Sequence, residues 1–244
     1  MKRTYNTVGG SQVEAVKRRK ITKKSVFRKS SKVFPGKIAP GSTTLARYPV
    51  PFPPRLFTNI IYENGLSVYN PLTTFGQLSV INNSCFDFDQ GTAFGNKQPL
   101  FWDNLTGGGG PYKKYKVISW KTTYTVINNV DAALTVYALP PTATASEIDI
   151  VSEAENFPGV KRLYLSQKTG MKNMGTITVT GHISDVFDSV KDDTYLAADY
   201  NSSPTNSCFG GLCIASADTT LIGCWVSVKH EMYTELTGID VAVS

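Results

Sequence analysis

The chain has 244 residues, with 25 Lys and Arg against 19 Asp and Glu, and a formal net charge of +6. No apolar run approaches the roughly 20 residues that cross a bilayer, and the first charged residues are not followed by the apolar stretch of a secretory signal. We therefore expect no membrane insertion and no secretory leader.

Residues 1–37 form a strongly basic arm. They hold 12 of the 25 Lys and Arg and one acid, Glu14, which gives +11, whereas residues 38–244 carry 13 bases and 18 acids, or −5. Such a segment repels itself and has little apolar surface to bury, so we expect it to be disordered. Its expected partner is a polyanion, because each cation on a phosphate releases condensed counterions. The candidate nucleic-acid-binding residues are Lys2, Arg3, Lys17, Arg18, Arg19, Lys20, Lys23, Lys24, Arg28, Lys29, Lys32 and Lys37.

Part of the arm also has the composition of a nuclear import signal, because an import receptor and a phosphate both select clustered positive charge. A tail that only aids solubility is the alternative. The arm's few aromatic residues predict phosphate contacts without sequence readout. The candidate import residues are Lys17, Arg18, Arg19, Lys20, Lys23 and Lys24.

Five prolines predict an extended tether at residues 38–54. Residues 55–244 are predicted to form one all-β domain, because runs of Thr, Val, Ile, Tyr and Phe alternate with Gly, Pro and Asn. Two strands, Leu56–Tyr62 and Leu66–Tyr69, are expected to be joined by a turn at Asn64-Gly65. The next strand region, Phe75–Phe88, is interrupted at Asn82-Asn83.

The four glycines of Leu105–Pro111 predict a loop. Tyr115–Asn128 is the clearest strand, and its two alternating apolar sets predict burial on both faces over part of its length. Pro140-Pro141 is expected to end the predicted strand Ala132–Leu139. Thr142–Phe157 is expected to contain a short helix. The remaining predicted strands are Ala132–Leu139, Val160–Gln167, Gly175–Phe187, Cys208–Ala217 and Leu221–Leu236, with a polar loop at Asp188–Ser207. About eight strands with long crossings favour a single eight-stranded jelly-roll β-sandwich.

The sequence holds no nucleophile, metal or phosphate-cradling motif that is typical of an enzyme. His182 and His230 fall in predicted strands and are expected to be half-buried, hydrogen-bonded structural residues. The four cysteines match no zinc spacing and are expected to be free and buried. We predict a protein that is not an enzyme and needs no metal or cofactor. The cysteines are Cys85, Cys208, Cys213 and Cys224.

Two pairs of acids, Asp87/Asp89 and Asp192/Asp193, could ligate a cation. Solvated loop charges and an inter-subunit salt bridge are the alternatives. The sequon Asn82-Asn83-Ser84 is expected to be a polar loop. The long loops 70–112, 140–160 and 188–207 are the expected subunit interfaces.

Three stretches resemble the capsid proteins of small circular single-stranded DNA viruses, the circovirus-like group that encodes a replication initiator. Pro99–Leu105 followed by Tyr112–Val117 looks like that family's Phe-Asp-Gln-Leu and Tyr-x-x-Tyr-x-Val signature, with Asp103-Asn104-Leu105 standing for Asp-Gln-Leu. Glu155–Lys161 resembles its acid-x-Pro-x-x-Lys segment, and Trp225–Tyr233 resembles its last strand.

The resemblance implies a capsid protein that self-assembles into an icosahedral T=1 shell of about 60 copies and packages a single-stranded nucleic-acid genome, expected to be DNA, through its basic arm. It implies a location in the virion and, during assembly, in the host nucleus. Sixty arms of +11 would supply about 660 positive charges against a genome of roughly two thousand phosphates. Coats of small RNA and satellite viruses share this plan, so the type of nucleic acid stays open. A cellular nuclear β-sandwich binding module with a localisation tail and a hydrolase on a jelly-roll scaffold are the alternatives outside viruses.

Overall fold

The structure is a computed structural model that describes residues 52–89, 98–99, 102–106, 110–145, 147–188 and 194–239. All of them belong to one compact unit. The predicted basic arm, residues 38–51 of the predicted tether and the centre of the predicted glycine loop lie outside the described residues.

Antiparallel strands make up most of the described chain. They are β1 (Leu56–Tyr69), β2 (Phe75–Ile81), β3 (Tyr112–Asn128), β4 (Leu134–Thr142), β5 (Lys161–Leu165), β6 (Met174–His182), β7 (Ala198–Asp199), β8 (Phe209–Ser216) and β9 (Cys224–Ile239). The first sheet has the order β1-β9-β3-β6, with β7 paired to β3, and the second has the order β2-β8-β4-β5.

The chain passes from one sheet to the other at almost every connection between strands. Each sheet is therefore built from strands that are distant in sequence, and the last strand lies between the first and the third. This interleaving of two four-stranded antiparallel sheets is the jelly-roll arrangement. The predicted all-β, eight-stranded jelly roll is confirmed, and β7 is one short strand beyond the predicted eight in the described part of the chain.

β3 carries a bulge that the sequence pattern conceals. Its register with β9 shifts between Val117 and Ser119. Tyr115 and Val117 are buried before the bulge, and Trp120 begins a new buried alternation after it. One extra residue exchanges the two faces of a strand. The two apolar sets therefore follow one another along the strand, and the prediction of burial on both faces is wrong, because the opposite face is half-buried or exposed.

Asn64-Gly65 does not form the predicted turn. β1 continues through the pair, and its register with β9 shifts between Asn64 and Ser67. The buried Asn64 side chain donates from Nδ2 to Ser67 Oγ at 3.1 Å, and the Asn64 carbonyl accepts from Ser227 Oγ at 2.9 Å. Because the long partner strand satisfies the backbone on both sides of the pair, these residues form a bulge and not a hairpin.

Pro140-Pro141 does not end its strand either. β4 continues to Thr142, and its register with β8 shifts between Leu139 and Thr142. Proline has no N–H to donate, so it is tolerated where the ladder is already interrupted.

Helices are few and short. The predicted helix is confirmed as α2 (Val151–Asn156), and α1 (Trp102–Leu105) begins before the predicted glycine loop. The predicted polar loop 188–207 is wrong in part, because it contains β7 and a 3-10 turn at Thr194–Leu196. The other predicted strands are present with shifted ends. Within the described ranges, no helix is both long and apolar enough to cross a bilayer.

The main core lies between the two sheets and is rich in aromatic rings. Trp102 of α1 packs edge-on against Tyr115 of β3, with ring centroids 5.2 Å apart, and its Nε1 donates to the carbonyl of Tyr200 at 3.1 Å. Buried aromatic pairs in this geometry stabilise beyond their buried area. The short helix therefore anchors the chain between β2 and β3 to the core.

A smaller core covers the outer face of the second sheet. Ile148 and Ala154, from the segment that contains α2, are buried against Tyr137 and Cys213. The Tyr137 hydroxyl donates to Glu155 Oε1 at 3.0 Å. The second sheet is thus covered on its outer face over β4 and β8 but not over β5. None of the described segments covers the outer face of the first sheet in this way.

Gly211 provides a test of the sheet geometry. Its φ is +146°, and a Cβ there would overlap the carbonyl oxygen of Leu78 on β2. We expect Gly211→Ala to lower the free energy of unfolding by at least about 2 kcal/mol, measured by urea denaturation. Gly65→Ala is the matched control, because nothing lies within 4 Å of its Cβ position, and equal losses in both variants would contradict the assigned register.

Candidate functional site

The twelve predicted nucleic-acid-binding residues, including the six of the import signal, lie outside the described residues, as do Asp192 and Asp193. Their roles stay predictions from sequence. The described body has two notable features, a buried polar cluster and an exposed apolar groove. The first bears on the stability of the fold and the second on binding.

Residues 82–84 form a polar clamp, defined as Asn82, Asn83 and Ser84, that is almost completely buried. The Asn82 N–H donates to the carbonyl of Cys208 at 2.7 Å, and Asn83 Oδ1 accepts from the Cys208 N–H at 2.7 Å. Asn83 Nδ2 donates to the carbonyl of Asn206 at 2.9 Å. The predicted polar loop is present as a turn after β2, but it is buried and not exposed. These hydrogen bonds replace the water that the amides lose on burial.

His230 completes the polar clamp from β9. Its Nε2 lies 2.9 Å from the carbonyl oxygen of Asn82 and must donate to it, so Nδ1 accepts from the Thr122 hydroxyl at 2.8 Å. The ring stacks on Phe88 with centroids 4.2 Å apart and has no exposed surface. Burial lowers the pKa of His230 to about 3. The predicted structural role is confirmed, although the residue is fully and not half buried.

His182 also has a structural role. Its Nδ1 accepts from the Ser184 N–H at 3.1 Å and lies 2.6 Å from Ser184 Oγ, which caps the 3-10 turn Ile183–Asp185. Local hydrogen bonds to Nδ1 hold the ring beside this turn, and the prediction of a structural histidine is confirmed.

The described cysteines and acids form no chemical centre. All four cysteines are free and buried, as predicted, and burial raises the pKa of Cys208, Cys213 and Cys224 to about 12. These thiols stay protonated and are poor nucleophiles. Among the described residues, no group of three His, Cys, Asp or Glu is placed to hold a metal ion.

Asp89 differs from its expected environment. It is buried, and its negative charge together with burial raises the pKa of the neighbouring Tyr62 hydroxyl. The interpretation as a solvated loop charge is therefore wrong for Asp89.

An apolar groove is open to solvent at one end of the sandwich. This end groove has a volume of about 370 Å³ and is lined by Val68, Leu72, Leu221 and Trp225, which are 64%, 70%, 48% and 38% exposed. The strand register extends its apolar row across the first sheet from Val68 through Trp225 and Ile127 to Met174. Contiguous exposed apolar surface of this kind marks interaction sites.

Leu72 is held in the left-handed region, with φ 58°. This conformation costs a non-glycine residue about 1 kcal/mol or more, and here it places an apolar side chain in solvent. Both the strain and the exposure are unfavourable in the isolated chain, so a partner that buries Leu72 would compensate for them.

Sequence reasoning found this groove only in part. Leu72 falls in the predicted interface loop 70–112, but Leu221 and Trp225 were assigned to a strand alternation. Most of the described segment 147–157 covers its own second sheet. One sequence signal could have indicated the groove. Leu72 and Leu221 are apolar residues beside turns, on two segments that the jelly-roll order brings to the same end of the sandwich.

No protein-family model matches the chain, and no curated protein matches it. Among solved structures, it is similar to a chain of Desmodium yellow mottle tymovirus, with 12% identity, a TM-score of 0.43 and coverage of 84% of this chain and 99% of that chain. It is also similar to a chain of the empty head of Turnip yellow mosaic virus, with 11% identity, a TM-score of 0.41 and coverage of 82% and 90%. A chain of sacbrood virus of honeybee has 11% identity, a TM-score of 0.36 and coverage of 75% and 77%.

The buried His230 predicts a specific pH dependence. Its pKa is 6.5 when unfolded and about 3 when folded, so between these values the unfolded state binds more protons. The stabilising contribution is complete above pH 6.5 and is lost as the pH falls toward 3, with a slope of up to about 1.4 kcal/mol per pH unit.

We expect His230→Gln to remove this component from the free energy of unfolding, measured by urea denaturation at several pH values between 7 and 3. His182→Gln, at the half-buried histidine, is the control and should keep the wild-type slope. Identical slopes in wild type and His230→Gln would show that His230 is not buried in the neutral form.

Proposed function

We propose that this chain is the coat protein of a small virus. Copies of its jelly-roll body assemble into a closed shell, and its basic arm binds the packaged single-stranded nucleic acid. The observation that carries the proposal is the end groove, an exposed apolar surface on a jelly roll whose preceding residues 1–37 carry +11. The end groove provides apolar surface for contact between copies of the chain, and the arm provides positive charge for binding a polyanion.

The end groove is suited to contact between copies of this chain. A closed shell needs heterologous contacts, in which a patch on one copy meets a different patch on the next. The groove is a concave apolar patch flanked by exposed Leu72 and Met174. Removing such side chains from water stabilises the contact by about 25 cal/mol per Å² of apolar area buried.

The arm supplies the contact with the genome. Its twelve cations and one acid favour phosphates of any sequence. On the resemblance of Tyr112–Val117 and the other stretches described above, we propose a circular single-stranded DNA genome, a T=1 shell of about 60 copies and assembly in the host nucleus, with Lys17–Lys24 bound by an import receptor.

Leu72 allows assembly to be separated from folding. Glycine relieves the left-handed strain at this position while raising the entropy of the unfolded chain, so Leu72→Gly should change the free energy of unfolding by less than about 1 kcal/mol. We expect the same variant to lose shell assembly, measured by sedimentation velocity. Leu221→Asp, on the opposite wall of the groove, should have the same effect.

The matched control is Met171→Gly, which removes a fully exposed side chain that lies outside the end groove and outside the three loops expected to form interfaces. It should leave assembly intact. Normal assembly of Leu72→Gly and Leu221→Asp would contradict the role of the groove.

Deleting residues 1–37 should leave the thermal unfolding of the body unchanged and abolish nucleic-acid packaging, read from the ratio of absorbance at 260 and 280 nm after nuclease treatment. Replacing the six bases of the import signal by Gln should lower the slope of log K against log salt by up to about 4, at 0.7 per phosphate contact. An unfolded truncation would contradict the modular organisation, and packaging without the arm would contradict its role.

A further inference from the structure

The open face, defined as the outward side of the first sheet (β1, β9, β3, β6 and β7), differs in charge from the rest of the body. Of the ten cations and fifteen acids among the described residues, it carries five cations and four acids, including Asp199, which pairs with Lys114 in the strand register. The other described residues include five cations and eleven acids, of which four lie in residues 147–155 over the second sheet and one, Asp89, is buried. The charged residues of the open face are Arg55, Lys114, Lys116, Lys121, Lys229, Glu63, Asp199, Glu231 and Glu235.

Two aromatic side chains lie side by side on this face. The rings of Phe57 on β1 and Tyr233 on β9 are stacked, with centroids 6.1 Å apart and planes 20° apart. They are 49% and 42% exposed, although aromatic rings of this size are normally buried. Exposed rings on a sheet are the kind of surface on which unpaired nucleobases stack.

A groove of about 440 Å³ runs beside Tyr233, between Asn59, Ser119 and Lys121. The register places Asn59, Tyr233 and Ser119 in one row across three strands. The groove offers a ring, an amide and a hydroxyl beside the apolar side chains of Ile61 and Trp120. A planar base, with apolar faces and a hydrogen-bonding edge, can use both kinds of surface.

The cations next to this groove are available to phosphate. Lys121 Nζ and Lys229 Nζ lie 3.6 Å and 3.3 Å from the two carboxylate oxygens of Glu231, so this triad keeps a net positive charge. The side chains of all three are 34–56% exposed. Ion pairs at such exposure are worth little, and a phosphate can replace the carboxylate as the partner of either lysine.

We propose that the open face is a second nucleic-acid site, on which Phe57 and Tyr233 stack with bases of a single strand while Lys121 and Lys229 contact its phosphates. The inference rests on the proposed function, because it takes the packaged strand as the ligand. The open-face site would contact the bases of the strand, whereas the arm is expected to contact only its phosphates. The stacked, exposed rings beside two lysines favour a strand of bases and phosphates as the ligand, because bases stack on such rings while phosphates meet the lysines.

The test uses the full chain at concentrations where light scattering shows it to be unassembled. Two probes are compared by fluorescence anisotropy: a single-stranded oligothymidylate of about 20 nucleotides and an abasic strand with the same phosphates. We expect the wild type to bind the oligothymidylate at least about 5-fold more tightly than the abasic strand. Tyr233→Ala and Phe57→Ala should lose this preference and bind the abasic strand as the wild type does.

Tyr233→Phe keeps the ring and should keep the preference. Tyr164→Ala removes a tyrosine that is 61% exposed on β5 of the other sheet and should also keep it. Retention of the preference in Tyr233→Ala, or its loss in Tyr164→Ala as well, would overturn the assignment. A change in assembly mass without a change in base preference would show that the face binds a second copy.

The two proposals fail in different ways. If the full chain binds both probes equally, the arm still binds nucleic acid and only the open-face site is overturned. If the full chain binds neither probe at low salt, the proposed function itself fails.

Discussion

The pairing of the last strand with the first and the third is the constraint on which the rest of the structure depends. β9 lies between β1 and β3 along nearly its whole length. Its alternation sends His230 inward to the polar clamp, and it sends Trp225 and Tyr233 outward to the end groove and the open face. A one-residue slip of β9 would exchange these positions, so the core and the two proposed contact surfaces depend on one register.

The two sheets of the sandwich divide their outer faces between different environments. The second sheet is covered by α2 and its neighbours, which carry much of the body's negative charge. The first sheet is left open, with exposed rings and most of the described cations that lie on strands. A body with one covered acidic side and one open, more basic side is suited to a shell whose two surfaces meet different partners. The charge separation in the sequence, between arm and body, is thus repeated on a smaller scale within the body.

Much of the fold was predictable from local pattern. The strong alternation in β3 and β9 and the two-sheet order follow from apolar periodicity and turn residues. The errors at Asn64-Gly65, Val117–Ser119 and Pro140-Pro141 share one cause. At each of them a bulge depends on a partner strand that is distant in sequence, and local propensity cannot report it. For the same reason the end groove was predicted only in part and the polar clamp was not predicted. Leu72 and Leu221 come to line one groove, and Asn82 meets His230, only after the sheets have formed.

The central claim is that this chain builds a closed, nucleic-acid-containing shell. The most direct measurement is the molar mass of the freshly purified full chain at low salt, by light scattering with absorbance at 260 and 280 nm. The account predicts a particle of about 1.6 MDa, or about 60 copies of the 26.6 kDa chain, with co-purifying nucleic acid. A mass of one or two chains under these conditions would contradict it and would favour a small nuclear binding protein.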